Sequence, residues 1–225
     1  MLDVTRISIF DVDRTITRQP TYSAFLLFAA RRIGRWRLAF VPLVIVGMIA
    51  YKLGLVSRKG LKSFMQACLL GRRVPKAELM PVIDSFIAQL MEEGIYPEAK
   101  ALILREAKGG RRVLLATASH HFYIDSLAQA LGVADAVATR SVWRGDILTA
   151  TIAGENCYGP AKRDMVAAFF AAQGLAREAC HVRVYSDDIS DVPLFDWADE
   201  PVAVNPSRAL LGHAQATGWQ VLDWR

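Results

Sequence analysis

The chain has 225 residues, 53% of them hydrophobic and 22% charged, which supplies a sizeable core and excludes a disordered or low-complexity protein. Its net charge of +5 hides an asymmetry: residues 14–77 hold thirteen Lys or Arg and no Asp or Glu, whereas the remainder holds fourteen basic and twenty-two acidic residues. The three cysteines, Cys68, Cys157 and Cys180, are scattered, which excludes a thiolate metal cluster and fits a reduced, cytoplasmic setting.

The N-terminus runs from "DVTR" directly into an apolar strand, so no secretory pattern is expected, and no internal repeat recurs at a fixed period. Residues 6–11 read as a buried parallel strand. That strand ends on Asp11 and Asp13, two like charges whose desolvation and repulsion call for a cation between them. From about 18 to 95 the patterns are helical only, with breaks at Pro42, Gly54, Gly71 and Pro75; this stretch reads as a helical insertion. Its middle, "LAFVPLVIVGMIAY" (38–51), has fourteen residues without a charge, short of the ~20 that span a bilayer as a helix. The pattern predicts a buried helix or an interfacial segment; with "YKLGLV" added, a tilted or re-entrant span is the remaining alternative. Beyond it, helical patterns at 97–110, 122–132 and 160–174 alternate with apolar runs at 111–117, 181–186 and 201–205. That alternation predicts βαβ units and a parallel sheet. Residues 138–154 alternate around Gly145-Asp146 and predict a small hairpin on the side of the sheet.

Ligands of parallel α/β sheets bind beyond the carboxyl ends of the strands. Several polar residues fall at that edge: Asp11 and Asp13, then Thr117 with Ala118 and Ser119, then Asp187, Asp188 and Asp191 of "SDDISD". Oxygen donors without a Cys/His cluster point to Mg²⁺.

"DVDRT" at 11–15, Thr117 at a strand end, Lys162 at a helix start and "SDDISD" at 186–191 resemble, in order and placement, the four motifs of the haloacid dehalogenase-like phosphatases. The spacing resembles their phosphoserine-phosphatase-like branch, subfamily IB, in which a helical cap is inserted between motifs one and two. The hairpin and "GPAKRDMV" extend the likeness over nearly the whole chain. The resemblance implies a Rossmann-like parallel sheet with helices on both faces, formed by residues 1–17 plus 96–225, and a helical cap at 18–95. It also implies Asp11 as the nucleophile that forms an aspartyl-phosphate, and Asp13 as the acid and base. Mg²⁺ would be held by the Asp11 carboxylate, the Asp13 carbonyl and Asp187, with Asp191 ordering its waters. Thr117, Ala118 and Lys162 would contact the phosphoryl oxygens. Arg14 stands where relatives often carry Gly, and either touches phosphate or lines the cap hinge. Asp188 reads as a loop acid ahead of a metal ligand. His120 and His121 read as surface or packing residues ahead of acid catalysts, and the five tryptophans as packing residues.

Substrate class turns on the cap. In phosphoserine phosphatases an acidic cap residue soon after motif one holds the substrate ammonium; here "RTITRQPTYSAF" has no acid, and none appears before Glu78. A cap of one sign favours an anionic or lipid-like phosphate. The basic-apolar-basic layout at 31–59 is similar to that of bacterial phosphatidylglycerophosphate phosphatases, which implies an anionic membrane surface as partner and a peripheral place on the cytoplasmic face of the inner membrane. A soluble small-metabolite phosphatase of the phosphoserine type is the alternative. Two other classes fit less well. A basic nucleic-acid-binding protein would interleave its cations with stacking aromatics, and here an apolar run interrupts them, so no nucleic-acid partner is expected. A fold that binds without catalysis would not keep Asp11, Asp13, Lys162 and Asp187.

Overall fold

The computed structural model, which describes residues 4–225, places β1 (Thr5–Phe10) at the centre of an eight-stranded sheet. The others are β2 (Arg73–Pro75), β3 (Arg112–His120), β4 (Asp135–Arg144), β5 (Ile147–Ala153), β6 (Cys180–Ser186), β7 (Glu200–Val204) and β8 (Gln220–Leu222). Their spatial order is β2-β5-β4-β3-β1-β6-β7-β8. The run from β4 to β8 is parallel, and β5 and β2 add antiparallel strands at one edge. Phe10 sits opposite both Leu115 and Tyr185, so β1 and β6 end together at one rim while β3 runs past it to His120.

The apolar run of β1 is continuous because both of its faces are covered. Ile7 and Ile9 are at most 1% exposed and pack with Val166 and Phe170 of α7 (Pro160–Ala172), Leu194 of α8 (Val192–Phe195) and Leu210 of α9 (Arg208–Thr217). Phe10 points to the other face, into the cluster of Leu102 from α5 (Pro97–Lys108) and Ile124 from α6 (His121–Ala130). Each such side chain contributes about 1.5–3 kcal/mol on burial. The expected α/β class, with a parallel sheet and helices on both faces, is the fold found.

Between β1 and β3 lie α1 (Thr21–Ile33), α2 (Val41–Lys52), α3 (Arg58–Leu69) and α4 (Lys76–Gln89). Phe25 of α1 stacks on Tyr123 of α6, ring centroids 4.9 Å apart, so the insertion shares one apolar cluster with the sheet's α5–α6 face. Three expectations for this stretch need correction. It is not purely helical: β2 follows α3, and Val74, 2% exposed, pairs with Leu148 of β5. Pro42 does not break the apolar run but sits in the first turn of α2, where its missing N–H costs nothing. The same run is not a buried helix, since Val44 is the one buried residue of α2. The predicted hairpin is β4–β5; the first half of β4 also extends the parallel sheet, and the second half leaves it to pair with β5.

Candidate active site

Three loops converge beyond the ends of β1, β3 and β6. Asp11 follows β1, its backbone N–H donating to the Tyr185 carbonyl at 2.9 Å, and the residue is 8% exposed. Lys162 reaches it from the first turn of α7, donating to Asp11 Oδ1 at 2.8 Å and to Asp191 Oδ2 at 2.6 Å. The preceding Gly159 makes that reach available. Its φ of 59° and ψ of −135° belong to backbone space that essentially only glycine enters, and it turns the chain sharply into the helix. Ser186 at the end of β6 also donates to Asp191 Oδ2, at 2.6 Å.

The electrostatics follow from burial. Desolvation pushes the Asp11 carboxyl well above its ordinary value; Lys162 opposes the shift, while Asp191 and Asp187 add to it. Burial alone would lower the Lys162 ammonium, but Asp11 and Asp191 outweigh it and hold it above the ordinary lysine range. Asp187, 7% exposed, is pushed up to about 7 by burial and then by Asp188 and Asp191. The cleft is short of positive charge.

Asp13 is oriented by the insertion and by β3. Its Oδ1 accepts from the Thr21 backbone N–H at 2.8 Å and the Thr21 hydroxyl at 2.7 Å, and its Oδ2 accepts from Ser119 Oγ at 2.9 Å. Pro20, the residue before α1, has no side-chain acceptor for the helix, so Asp13 supplies one to its first turn. Thr117 is fully buried, its Oγ1 accepting from the Ser119 N–H at 3.1 Å, while Ala118 lines the cleft. That cleft, about 330 Å³, also takes in Asp11, Asp13, Lys162, Asp187 and Asp191. The roomier cavity of about 460 Å³ between α1 and α4 contains none of these acids.

The residues of uncertain role also find places. Asp188 Oδ1 accepts the Ser190 N–H at 3.0 Å, the bond of a loop acid capping a short turn. Arg14 has φ of 63°, the left-handed region that explains why glycine suits this position, and its side chain lines the cleft. His120 is buried against Tyr22, ring centroids 4.7 Å apart, with Nδ1 2.8 Å from Ser141 Oγ; burial holds it well below its ordinary value. His121 pairs with Asp125 one turn on, at 2.7 Å. Neither histidine lines the cleft.

A group of residues not anticipated from the sequence adjoins the acids. Lys62 of α3 is 8% exposed and donates to the Ala118 carbonyl and, at 2.8 Å, to Asn156 Oδ1. Thr139 Oγ1 donates to the same Ala118 carbonyl at 2.7 Å. Burial, and then Arg58, lower the Lys62 ammonium to about 7. A sequence signal existed: Lys62 falls on the buried stripe of α3 with Met65, Gln66 and Leu69, where a charge needs a reason.

Among the described residues no group of three or more His, Cys, Asp or Glu side chains is arranged as a metal cluster. A divalent cation nevertheless fits the donor chemistry. Asp191 Oδ1 is buried without a hydrogen-bond partner, and Asp11 and Asp187 are both held toward their protonated forms. Two carboxylates and a backbone carbonyl, completed by waters, form an oxygen set that suits Mg²⁺.

A family model described as haloacid dehalogenase-like hydrolase matches residues 9–196. An inhibition of morphological differentiation protein of Streptomyces azureus is 30% identical over 164 residues, which are 73% of this chain and 58% of that protein. A phosphoserine phosphatase of Mycobacterium tuberculosis is 25% identical over 231 aligned positions, covering 100% of this chain and 72% of its own. A solved structure from Bordetella pertussis Tohama I, of unknown function, superposes with a TM-score of 0.88 at 28% identity, over 98% of this chain and 99% of that one. The chain spans 50–58% of the length of the first curated relatives it matches.

Proposed function

The chain belongs to the haloacid dehalogenase-like hydrolase family, and we propose that it is a Mg²⁺-dependent phosphatase acting on small phosphate monoesters through an aspartyl-phosphate on Asp11. The observation that carries this reading is the buried Lys162 held between Asp11 and Asp191, 2.8 and 2.6 Å away, at the carboxyl rim of a parallel sheet. Lys162 holds Asp11 Oδ1, and the other oxygen of that carboxylate attacks phosphorus while the ester P–O bond breaks. Asp13, fixed by Thr21 and Ser119, gives a proton to the leaving oxygen and later takes one from the water that cleaves the acyl phosphate. Ala118 and Lys162, which line the cleft, contact the phosphoryl oxygens, while the fully buried Thr117 holds the Ser119 N–H rather than facing the cleft. Asp11, Asp187 and the Asp13 carbonyl would hold the metal and Asp191 would order its waters; when bound, Mg²⁺ neutralises the repulsion between phosphate and carboxylate. Residues 18–95 act as the cap over a core of residues 1–17 and 96–225.

The metal part has a test independent of turnover. Asp187 has an unfolded value near 3.8 and a folded value of about 7, so the folded state binds more protons between them. The stability this provides is present below about pH 4 and is lost as pH rises through about 7. Metal-free protein is therefore expected to melt lower at pH 8 than at pH 5, and Mg²⁺, which binds the ionised carboxylates, to raise the melting temperature more at pH 8. Ca²⁺ should restore activity poorly, because it prefers more ligands and looser geometry. No Mg²⁺-induced shift at either pH, together with full turnover in excess EDTA, would remove the metal from this mechanism.

Small anionic esters are favoured by the wall opposite Asp13. A cavity of about 280 Å³ adjoins that carboxylate, and the insertion lines it with Lys52, Arg58 and Lys62 and no acid. Its size suits a metabolite with a second anionic group beyond the phosphate. The name of the Mycobacterium tuberculosis relative supports a small-metabolite substrate, although no acidic residue of the insertion lines this cavity to pair with an ammonium. A lipid-like phosphate is the second reading, because Met48 and Tyr51 of α2 line the same cavity beside an exposed apolar face. Turnover of a panel containing phosphoserine, doubly anionic esters and phosphatidylglycerophosphate separates the two; failure on every phosphate monoester would end the phosphatase proposal.

Within that panel Lys62→Met is expected to raise KM for doubly anionic esters about tenfold or more, the loss of one charge-assisted hydrogen bond. Turnover of a simple aryl phosphate should change much less, because the Ala118 carbonyl that lines the acid cleft keeps the Thr139 hydroxyl as its donor. In the wild type, KM for the doubly anionic ester should climb above pH of about 7 as Lys62 discharges, and Lys62→Arg should flatten that limb. Equal KM changes for both ester types would make Lys62 a structural residue only.

A further inference from the structure

α2 presents to solvent side chains that soluble proteins normally cover. Leu43, Ile45, Val46 and Ile49, with Leu53 and Leu55 just beyond the helix, are 48–73% exposed. The helix has twelve residues, about 18 Å, against a hydrocarbon layer of about 30 Å. Among the described residues no helix is long and apolar enough to cross a membrane. What this face can do is lie on a surface.

The charges beside it say which surface. Arg31, Arg32 and Arg35 precede the helix and Lys52 and Lys59 close or follow it, all exposed, and no acidic residue occurs anywhere from Arg14 to Ala77. A second copy seated on this face about a twofold axis would bring the same cations against one another with no acid to pair them. An anionic lipid surface matches both features, because its phosphates meet the cations and its acyl boundary accepts the apolar side chains.

We propose that α2 is an interfacial anchor that docks the protein on an anionic bilayer, its apolar side chains at head-group depth and the flanking basic residues on lipid phosphates. The anchor does not depend on the phosphatase reading or on which ester is hydrolysed. Met48 and Tyr51 place the helix beside the cavity next to Asp13, so docking sets that cavity close to the membrane.

Sedimentation of the full chain with vesicles tests this. The wild type is expected to pellet with phosphatidylcholine vesicles containing phosphatidylglycerol at low salt, and to partition roughly tenfold less onto phosphatidylcholine alone or at high salt. Val46→Glu/Ile49→Glu, which lines neither cavity at the acids, should lose binding by roughly tenfold and keep wild-type turnover of an aryl phosphate. Should that variant fail to fold, Leu53→Ser/Leu55→Ser beyond the helix end serves in its place. A wild type that stays in the supernatant with anionic vesicles at low salt overturns the proposal. So does a folded variant that binds as the wild type does, or a concentration-dependent dimer that the same substitutions abolish.

Discussion

Asp11→Asn is expected to fold as the wild type does and to hydrolyse an aryl phosphate about 10⁴-fold more slowly or worse, the scale on which removal of a nucleophile acts. An amide oxygen cannot form the acyl phosphate, but it still accepts the Lys162 hydrogen bond now made at 2.8 Å to Asp11 Oδ1. The substitution also removes a charge that the site holds at a cost, since desolvation, Asp191 and Asp187 all disfavour the Asp11 carboxylate. Metal-free Asp11→Asn should therefore melt no lower than the metal-free wild type at pH 8. Kinetics and a thermal melt on one preparation check both halves. Turnover within tenfold of wild type would assign the nucleophile elsewhere, and a large fall in melting temperature would show that the lost activity reports unfolding.

The elements legible in the sequence were those whose burial is decided locally. β1, β3, β6 and β7 are covered on both faces and read as apolar runs, so their existence needed no tertiary knowledge. β2 was not legible because three residues carry no period; what makes them a strand is the edge of β5 at Leu148. The apolar character of α2 was plain, but whether its partner is protein or solvent is a question about neighbours that composition cannot answer. The acids of the site were legible for the same reason as the strands, because charge at the end of an apolar run has few local explanations. Thr21 and Asn156 were not, since each is an ordinary turn or cap residue until the insertion folds back and closes its hydrogen bonds. Arg14 lies between these cases: the motif marks its position as one that glycine suits, and the left-handed backbone supplies the reason.

Lys162→Met is expected to cost both activity and stability, and the second with a pH dependence that identifies its cause. Activity should fall by about 10²–10³-fold or more, the range for losing a donor that faces developing charge. The folded protein loses the cation that Asp11 and Asp191 share, leaving the Ser186 hydroxyl as the neutral donor to Asp191 Oδ2. Breaking a buried pair by removing one partner is destabilising by about 3–5 kcal/mol, because the remaining charges stay buried. Those charges can escape by taking up protons. Without Lys162 the Asp11 carboxyl, already raised by burial, loses the main influence that lowers it and rises further. A carboxyl with a raised folded value contributes stability at low pH that is lost as pH rises through that value. The destabilisation should accordingly be small near pH 5, where the folded variant keeps its protons, and approach its full size near pH 8. Urea titrations of metal-free wild type and variant at the two pH values read this directly. A deficit of equal size at both would mean that Lys162 stabilises through packing of its methylene stem, and that the Asp11–Lys162–Asp191 arrangement is not the electrostatic unit on which the mechanism depends.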